Sequence, residues 1–325
     1  MKILFSWTGV TSYMADCWRA LQAEPGVELK VIVETAYSGK AFAAATTLAG
    51  LDYELVEQER AADCPIATLS SGFAPDVVFV GGWRSVTTRR VMAAYAAAPQ
   101  VFCLDMPWRW SLRCVAARWA LHGFMKRFAA VYVPGEAAAK YARWFGFPQP
   151  RIHRKLYAIR QEKFRAAGAA VAPESRRGFL FVGRHDPEKR IDLIERAHAR
   201  YRELGGTWSV DYIGQGGRFV QADGMPQVYA EHACLLLASS FDPWPLVMLE
   251  AKAAGIEVIA SDRCGDCDEL GAFKVPYGDV EAMARQMLAV ERGARAPVRD
   301  DLNEYDCTAW VPRTLGLART VCAAR

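Results

Sequence analysis

Short apolar runs alternate with amphipathic stretches along the whole chain. In the first half the apolar runs predict strands over 2–6, 29–34, 76–81, 101–105 and 130–133. The stretches between them, with apolar residues at helical spacing, predict helices over 13–22, 88–97, 110–127 and 136–145. Runs such as Val77-Val78-Phe79-Val80 have no polar face, which is typical of a parallel sheet covered by helices on both sides. The first half is therefore expected to be a doubly wound α/β domain.

The same alternation restarts in the second half, after a segment rich in Lys, Arg and Ala. It predicts strands over 179–183, 209–213, 234–238 and 257–260, and helices over 192–204, 245–254 and 280–290. We expect two Rossmann-like domains facing a cleft, over 1–160 and 177–300, joined by a linker over 161–176. The tail, 301–325, is expected to pack back on the first domain. Ligands of such sheets bind beyond the carboxyl ends of the strands.

Charge is distributed unevenly along the chain. Residues 106–165 contain thirteen Lys or Arg and two acids, so this segment carries +11 in a chain of net charge +4. Trp119, on the helix predicted over 110–127, and Trp108, just before that helix, lie off its apolar stripe, among cations. Three interpretations stay open: an anionic membrane surface, an anionic acceptor, or a solvated basic face. Nucleic acid is not expected, because no helix-turn-helix, zinc-finger or RNA-binding signature is present.

Cysteine usage and hydropathy indicate a cytoplasmic protein. The nine cysteines are scattered and odd in number, which favours reduced thiols. Cys264 and Cys267 form one C-x-x-C pair with no second pair or His pair to complete a metal site, so we interpret them as loop cysteines. The apolar runs are too short to span a membrane, and the apolar start of the chain predicts a first strand rather than a signal peptide.

The segment 239–255 has the most specific pattern. A strand is followed by a short loop, and a helix is expected to begin with Pro245 at its first position. The amides of Leu246, Val247 and Met248 would then lack helical partners. Together with the helix dipole, such amides form an anion site that suits a diphosphate.

Two acids bracket this helix start. Asp242 precedes it, and Glu250 lies five residues past Pro245, about 7 Å along the helix axis. Both acids can accept hydrogen bonds from sugar hydroxyls on either side of a phosphate. In the alternative interpretation Asp242 caps the helix and Glu250 faces solvent.

A second segment supplies cations. Gly183 ends a strand and lets a ligand approach the backbone, while Arg184 and Lys189 can neutralise a diphosphate. The alternative is a charged surface loop. A further glycine turn follows the next strand at Gly214.

Over residues 178–270 these segments resemble the retaining GT-B glycosyltransferases of family 4, the glycosyl transferases group 1. The resemblance rests on G-R-x4-K at Gly183, Arg184 and Lys189, on the glycine turn, and on the acid-x7-acid pair Asp242 and Glu250. It implies a metal-independent, hexosyltransferase-like enzyme of polysaccharide biosynthesis. Such an enzyme has no cofactor, uses a nucleotide-diphosphate sugar as donor, and acts on a glycan or lipid-linked acceptor with retention of configuration. A lipid-linked acceptor would place it peripherally on the membrane.

The resemblance also implies roles for individual residues. Arg184 and Lys189 would hold the donor diphosphate and, with Asp242, form the catalytic set. Asp242 would face the donor sugar and Glu250 the nucleotide ribose. The remaining donor-binding residues are implied to be Gly183, Gly214, Leu246 and Val247. On the acceptor side, the candidates are Gly9, Asp105 and Arg109.

Four features depart from the family pattern. Asp242 replaces the usual Glu, and Pro245 stands where Gly is usual. The stretch between Gly217 and Cys234 is short, as if a helix were deleted, and the usual His after an N-terminal strand is absent. Two alternatives therefore remain, a non-catalytic relative that binds nucleotide sugar or membrane, and a GT-B sugar-nucleotide epimerase. An NAD-dependent oxidoreductase is disfavoured, because no G-x-G-x-x-G follows the first strand.

Overall fold

The computed structural model describes residues 1–9, 11–35, 44–57, 72–82, 84–106, 112–214, 216–297 and 301–324. The chain divides into two compact units. The first comprises Met1–Ile159 with Asp306–Arg325, and the second comprises Arg160–Tyr305. None of the described helices is long and apolar enough to cross a membrane.

Strands and helices alternate along most of the described chain. In chain order the strands are β1 Lys2–Thr8, β2 Glu28–Thr35, β3 Tyr53–Glu57, β4 Val77–Gly81, β5 Gln100–Cys103, β6 Ala130–Tyr132, β7 Ile152–His153, β8 Phe179–Val182, β9 Val210–Ile213, β10 Cys234–Leu237, β11 Glu257–Ser261 and β12 Phe273–Val275. The α-helices are α1 Ser12–Gln22, α2 Ala44–Leu48, α3 Val86–Ala94, α4 Leu112–Ala120, α5 His122–Met125, α6 Glu136–Trp144, α7 Gln161–Ala169, α8 Ile191–Glu203, α9 Met225–Glu231, α10 Leu246–Ala253, α11 Val280–Glu291 and α12 Cys307–Ala323.

The first unit is built on a parallel sheet with the order β3-β2-β1-β4-β5-β6-β7. One face is covered by an aromatic cluster in which Phe5 stacks on Phe79 and also contacts Trp18 and Trp310. Trp310 comes from α12, and its indole donates a hydrogen bond to a backbone oxygen. The C-terminal segment therefore packs within this unit. Burial of Trp310 and its neighbours explains why α12 forms although it contains Pro312.

The second unit has a parallel sheet with the order β12-β11-β10-β8-β9. Helices α8 and α11 cover one face, where Tyr201 and Met283 pack in the same cluster as Phe179 and Phe181. Helix α7 packs with α9 and α10. The segment 161–176, which we expected to be a linker, thus begins with a helix of this unit. It packs there because its Phe164 is buried.

The stretch between Gly217 and Cys234 contains a short helix, α9, and the loss of a further helix relative to the family stays a prediction. Two predicted features differ from the structure. The helix predicted over 110–127 is interrupted at Leu121, two residues before Gly123, a residue type that weakens helices. The strands not predicted, β3, β7 and β12, lie at sheet edges, where less burial leaves a weaker apolar signal.

Candidate functional site

The segment from Gly183 to Lys189 and the segment 239–255 meet at the point where the strand order of the second sheet reverses. Strands β8 and β10 are neighbours, and the loops that follow them carry the two motifs. The backbone amide of Ser240 donates to the carbonyl oxygen of Glu188 at 2.8 Å, and the Ser240 hydroxyl donates to the same oxygen at 3.2 Å. These bonds join the loops into one structure. Such a reversal is where open α/β sheets bind their ligands.

The cation of one loop and the acid of the other form an ion pair. The ammonium of Lys189 lies 2.6 Å from a carboxylate oxygen of Asp242. The pair is largely withdrawn from water, because 23% of the Lys189 side chain and 11% of the Asp242 side chain are exposed. Loss of one partner would leave a poorly solvated charge. Sequence reasoning named both residues but did not foresee this direct contact.

The backbone of Asp242 is held from the other side by the loop after β11. The Asp242 amide donates to the carbonyl oxygen of Arg263 at 3.2 Å, and the Gly265 amide donates to the carbonyl oxygen of Asp242 at 2.8 Å. Cys264 and Cys267 lie in this loop as buried free thiols, and the Cys267 thiol donates to backbone oxygens. The loop therefore fixes the backbone position of Asp242 next to Lys189.

Helix α10 begins one residue later than predicted. Pro245 is its N-cap residue and not its first helical residue, and no side chain caps the helix, so Asp242 is not a cap. The amide of Met248 donates to the carbonyl oxygen of Pro245 at 2.9 Å, so the expectation that this amide is unpaired is wrong. Within the described part of the chain, the amides of Leu246 and Val247 have no acceptor. These two amides are available to an anion.

Glu250 lies on α10 and is half-buried rather than solvent-facing. The hydroxyl of Tyr229, on α9, donates to its carboxylate at 2.7 Å, and Phe164 packs edge-on against the Tyr229 ring. Burial raises the pKa of Glu250, while the Tyr229 hydrogen bond and the charge of Lys163 act in the opposite direction. Tyr229 is a site neighbour that the sequence did not indicate, because no helix was predicted in the short stretch between Gly217 and Cys234.

The remaining predicted residues of the second unit lie at the ends of β8 and β9. Gly214 has a φ of +124°, and a Cβ atom there would collide with the carbonyl oxygen of Gly183. Glycine at Gly214 therefore lets the two strand ends approach closely. Arg184 is mostly exposed, and its guanidinium pairs with Asp186 at 2.9 Å. The structure thus brings Lys189 and Asp242 together but places Arg184 in a different ion pair.

The acceptor-side candidates belong to the first unit. Gly9 follows β1 with a φ of +79°, and its amide donates to the carbonyl oxygen of Glu34 at 2.9 Å. Asp105 follows β5 and accepts a hydrogen bond from the Tyr157 hydroxyl at 3.0 Å. Loss of solvent around its carboxyl raises the pKa of Asp105, and the Tyr157 hydrogen bond partly offsets this. Arg109 lies outside the described residues.

Among the described residues, no group of three or more His, Cys, Asp or Glu is arranged to hold a metal ion. Metal independence of the chemistry stays a prediction.

Residues 176–292 match the family model described as Glycosyl transferases group 1. The matched segment contains Lys189, Asp242 and Glu250, and it lies within the second unit. No curated protein sequence matches the chain significantly.

The whole chain resembles solved structures that share little sequence with it. HepE from Anabaena in complex with UDP and glucose is 14% identical with a TM-score of 0.66, covering 100% of this chain and 98% of that chain. Sucrose-phosphate synthase from Thermosynechococcus elongatus is 14% identical with a TM-score of 0.69, covering 100% of both chains. The apo form of the lipopolysaccharide outer core galactosyltransferase WaaB is 14% identical with a TM-score of 0.65, covering 98% of this chain and 99% of that chain.

Identities this low show the fold and leave the activity open. The predicted fold class is confirmed, α/β with two Rossmann-like doubly wound units of the GT-B type, and the second unit carries the match to the group 1 glycosyl transferases.

Proposed function

We propose that this chain is a glycosyltransferase that transfers a sugar from a nucleotide-diphosphate donor bound by its second unit. The observation that carries the proposal is the ion pair of Lys189 and Asp242 at the strand reversal, next to the unpaired amides of Leu246 and Val247. A cation and two amides suit a diphosphate, while a carboxylate suits sugar hydroxyls. The family-model match over 176–292 supports the same interpretation.

The proposed chemistry follows from where charge develops. When the bond between sugar and diphosphate breaks, negative charge grows on the departing nucleoside diphosphate. Lys189 and the amides of α10 would stabilise that charge more strongly in the transition state than in the ground state, which is how such groups accelerate a reaction. Asp242 would orient the donor sugar, and Glu250 would hold the ribose. Arg184 is placed for a similar role only if its exposed side chain leaves Asp186.

Uridine diphosphate sugars are the first donors to test. HepE was solved with UDP-glucose, and an Escherichia coli protein described as trehalose-6-phosphate was solved with UDP-2-fluoro glucose. The latter is 10% identical to this chain with a TM-score of 0.65. The finer parts of the proposal are membership of family 4, retention of configuration, independence of metal, and a glycan or lipid-linked acceptor at an anionic membrane.

Release of UDP from a panel of UDP-sugars, with and without glycan acceptors, tests the proposal. We expect UDP release by the wild type and its loss in Lys189→Ala. The matched control is Lys274→Ala, which removes an exposed ion-paired lysine of the same unit. Binding of UDP-sugar without any release of UDP would favour the non-catalytic alternative. Conversion of the donor to a different sugar nucleotide would favour the epimerase.

A further inference from the structure

Helix α4 has a second apolar face, opposite the one that packs in the core. Leu112, Ala116, Trp119 and Ala120 are all exposed, and their spacing places them on one side of the helix. Leu112 is 84% exposed and Trp119 is 79% exposed, the highest values for large apolar side chains among the described residues. They are two turns apart, about 10 Å along the helix axis. Exposed apolar side chains aligned in this way indicate a surface that binds a partner or a membrane.

The opposite face holds α4 and α5 firmly on the first unit. Ala117, Leu121 and Phe124 pack against the core cluster that contains Met125 and Phe128, as the predicted apolar stripe requires. The outward direction of Leu112 and Trp119 is therefore set by the packing of the core.

The charges around the exposed face indicate its partner. Residues 112–135 contain four Lys or Arg and no Asp or Glu. Arg118 extends over the ring of Trp144, with its guanidinium carbon 5.2 Å from the ring centroid, and Lys126 and Arg127 are exposed at the end of α5. An apolar face with Trp and Leu, bordered by cations, suits the interface of an anionic bilayer. A second copy of the chain is disfavoured, because its identical cations would repel these.

We propose that α4 and α5 form a docking surface for an anionic lipid bilayer. Leu112 and Trp119 enter the boundary between headgroups and acyl chains, while Arg118, Lys126 and Arg127 contact the anionic headgroups. This inference deepens the anionic-membrane part of the proposed function by assigning the surface that binds, and its test is separate from that of the activity, since it concerns binding and not turnover.

Sedimentation of the full chain with vesicles tests the surface. We expect tighter binding to phosphatidylcholine vesicles that contain phosphatidylglycerol than to phosphatidylcholine alone. Replacing both Leu112 and Trp119 by Ser should weaken binding at least about tenfold, because two large apolar side chains no longer leave water. Replacing Arg118 and Lys126 by Ser should weaken binding about fivefold per cation, and added salt should have a similar effect.

Phe219→Ser is the matched control, because Phe219 is 57% exposed and belongs to the second unit. It should bind vesicles as the wild type does, and thermal melting should show that all variants remain folded. Negligible binding to both vesicle types would overturn the proposal, as would equal losses in Phe219→Ser and the Leu112/Trp119 variant. A dimer in analytical ultracentrifugation that the Leu112/Trp119 substitutions dissociate, without vesicle binding, would identify a second copy as the true occupant.

Discussion

Alanine substitutions at Lys189 and Asp242, made singly and together, test the ion pair at the centre of the candidate site. Removing one partner of a fully buried pair costs about 3–5 kcal/mol. Because 23% and 11% of these two side chains remain exposed, water screens the orphaned charge, and we expect about 2–3 kcal/mol for each single substitution. The double substitution leaves no orphaned charge. Its cost should therefore fall short of the sum of the single costs by about 1–3 kcal/mol in urea denaturation.

The same variants separate the two proposed roles by titration calorimetry. Lys189→Ala should bind UDP about tenfold to a hundredfold more weakly, the scale of a lost charge-assisted hydrogen bond. Asp242→Ala should bind UDP no more weakly than the wild type, because it frees the Lys189 ammonium and removes a negative charge near the phosphates. It should, however, lose any preference for UDP-glucose over UDP. Additive stability costs, or an equal loss of UDP affinity in both folded single variants, would refute this reasoning.

Two further predictions concern single side chains. Glu250→Gln should weaken UDP binding by about 1.5–3 kcal/mol in calorimetry. Folding raises the pKa of Glu250 above its ordinary 4.5, so the wild type should lose stability relative to this variant as the pH rises from 4.5 through the raised pKa. A difference in unfolding free energy between the two proteins that does not change with pH, measured by urea denaturation, would contradict this. Gly214→Ala should lower the free energy of unfolding by about 1–3 kcal/mol or more, because it adds a Cβ atom at positive φ against the Gly183 carbonyl. The control is Gly278→Ala, also at positive φ but in open space. An equal loss of stability in both variants would contradict the collision.

Much of the fold and the location of the site can be predicted from the sequence, because the signals are local. Runs such as Val77–Val80 show burial on both faces, and the segments around Lys189 and Asp242 each read as strand, loop and helix. Contacts between segments have no such signal. The bond from Tyr229 to Glu250 joins residues 21 apart, and it depends on a helix that the short spacing concealed. Likewise, α12 contains Pro312, and the burial of Trp310 and its neighbours in the first unit explains why this helix forms.

Helix α4 also shows that contacts between segments are hard to predict from sequence. Its core stripe is visible in the sequence as apolar residues at helical spacing. The sequence does not distinguish the exposed face with Leu112 and Ala116 from a core face, because its residues are also small or apolar. The packing of Ala117 in α4 against the core, together with Phe124 and Met125 in α5, shows that the face with Leu112 is outside.

Pro245 stands directly before α10, at a position where helices commonly carry a capping side chain. As the N-cap residue of α10 it carries no side-chain oxygen, so it cannot accept from the amide of Val247 or Met248, the second and third helical residues, as Ser or Asp would. We infer that the donor diphosphate takes the place of the missing cap. Comparison of Pro245→Ser with Pro245→Ala tests this, since both variants lose the proline ring and only the first gains a cap.

The Ser variant should be more stable than the Ala variant by about 1 kcal/mol in urea denaturation, because its hydroxyl accepts from the first turn of α10. For the same reason it should bind UDP more weakly than the Ala variant, since a hydroxyl bonded to the Val247 amide competes with phosphate for it. Stability and affinity are thus expected to change in opposite directions at one position. Equal UDP affinity in the two variants, with the stability gain present, would mean that the Val247 amide does not hold the phosphate.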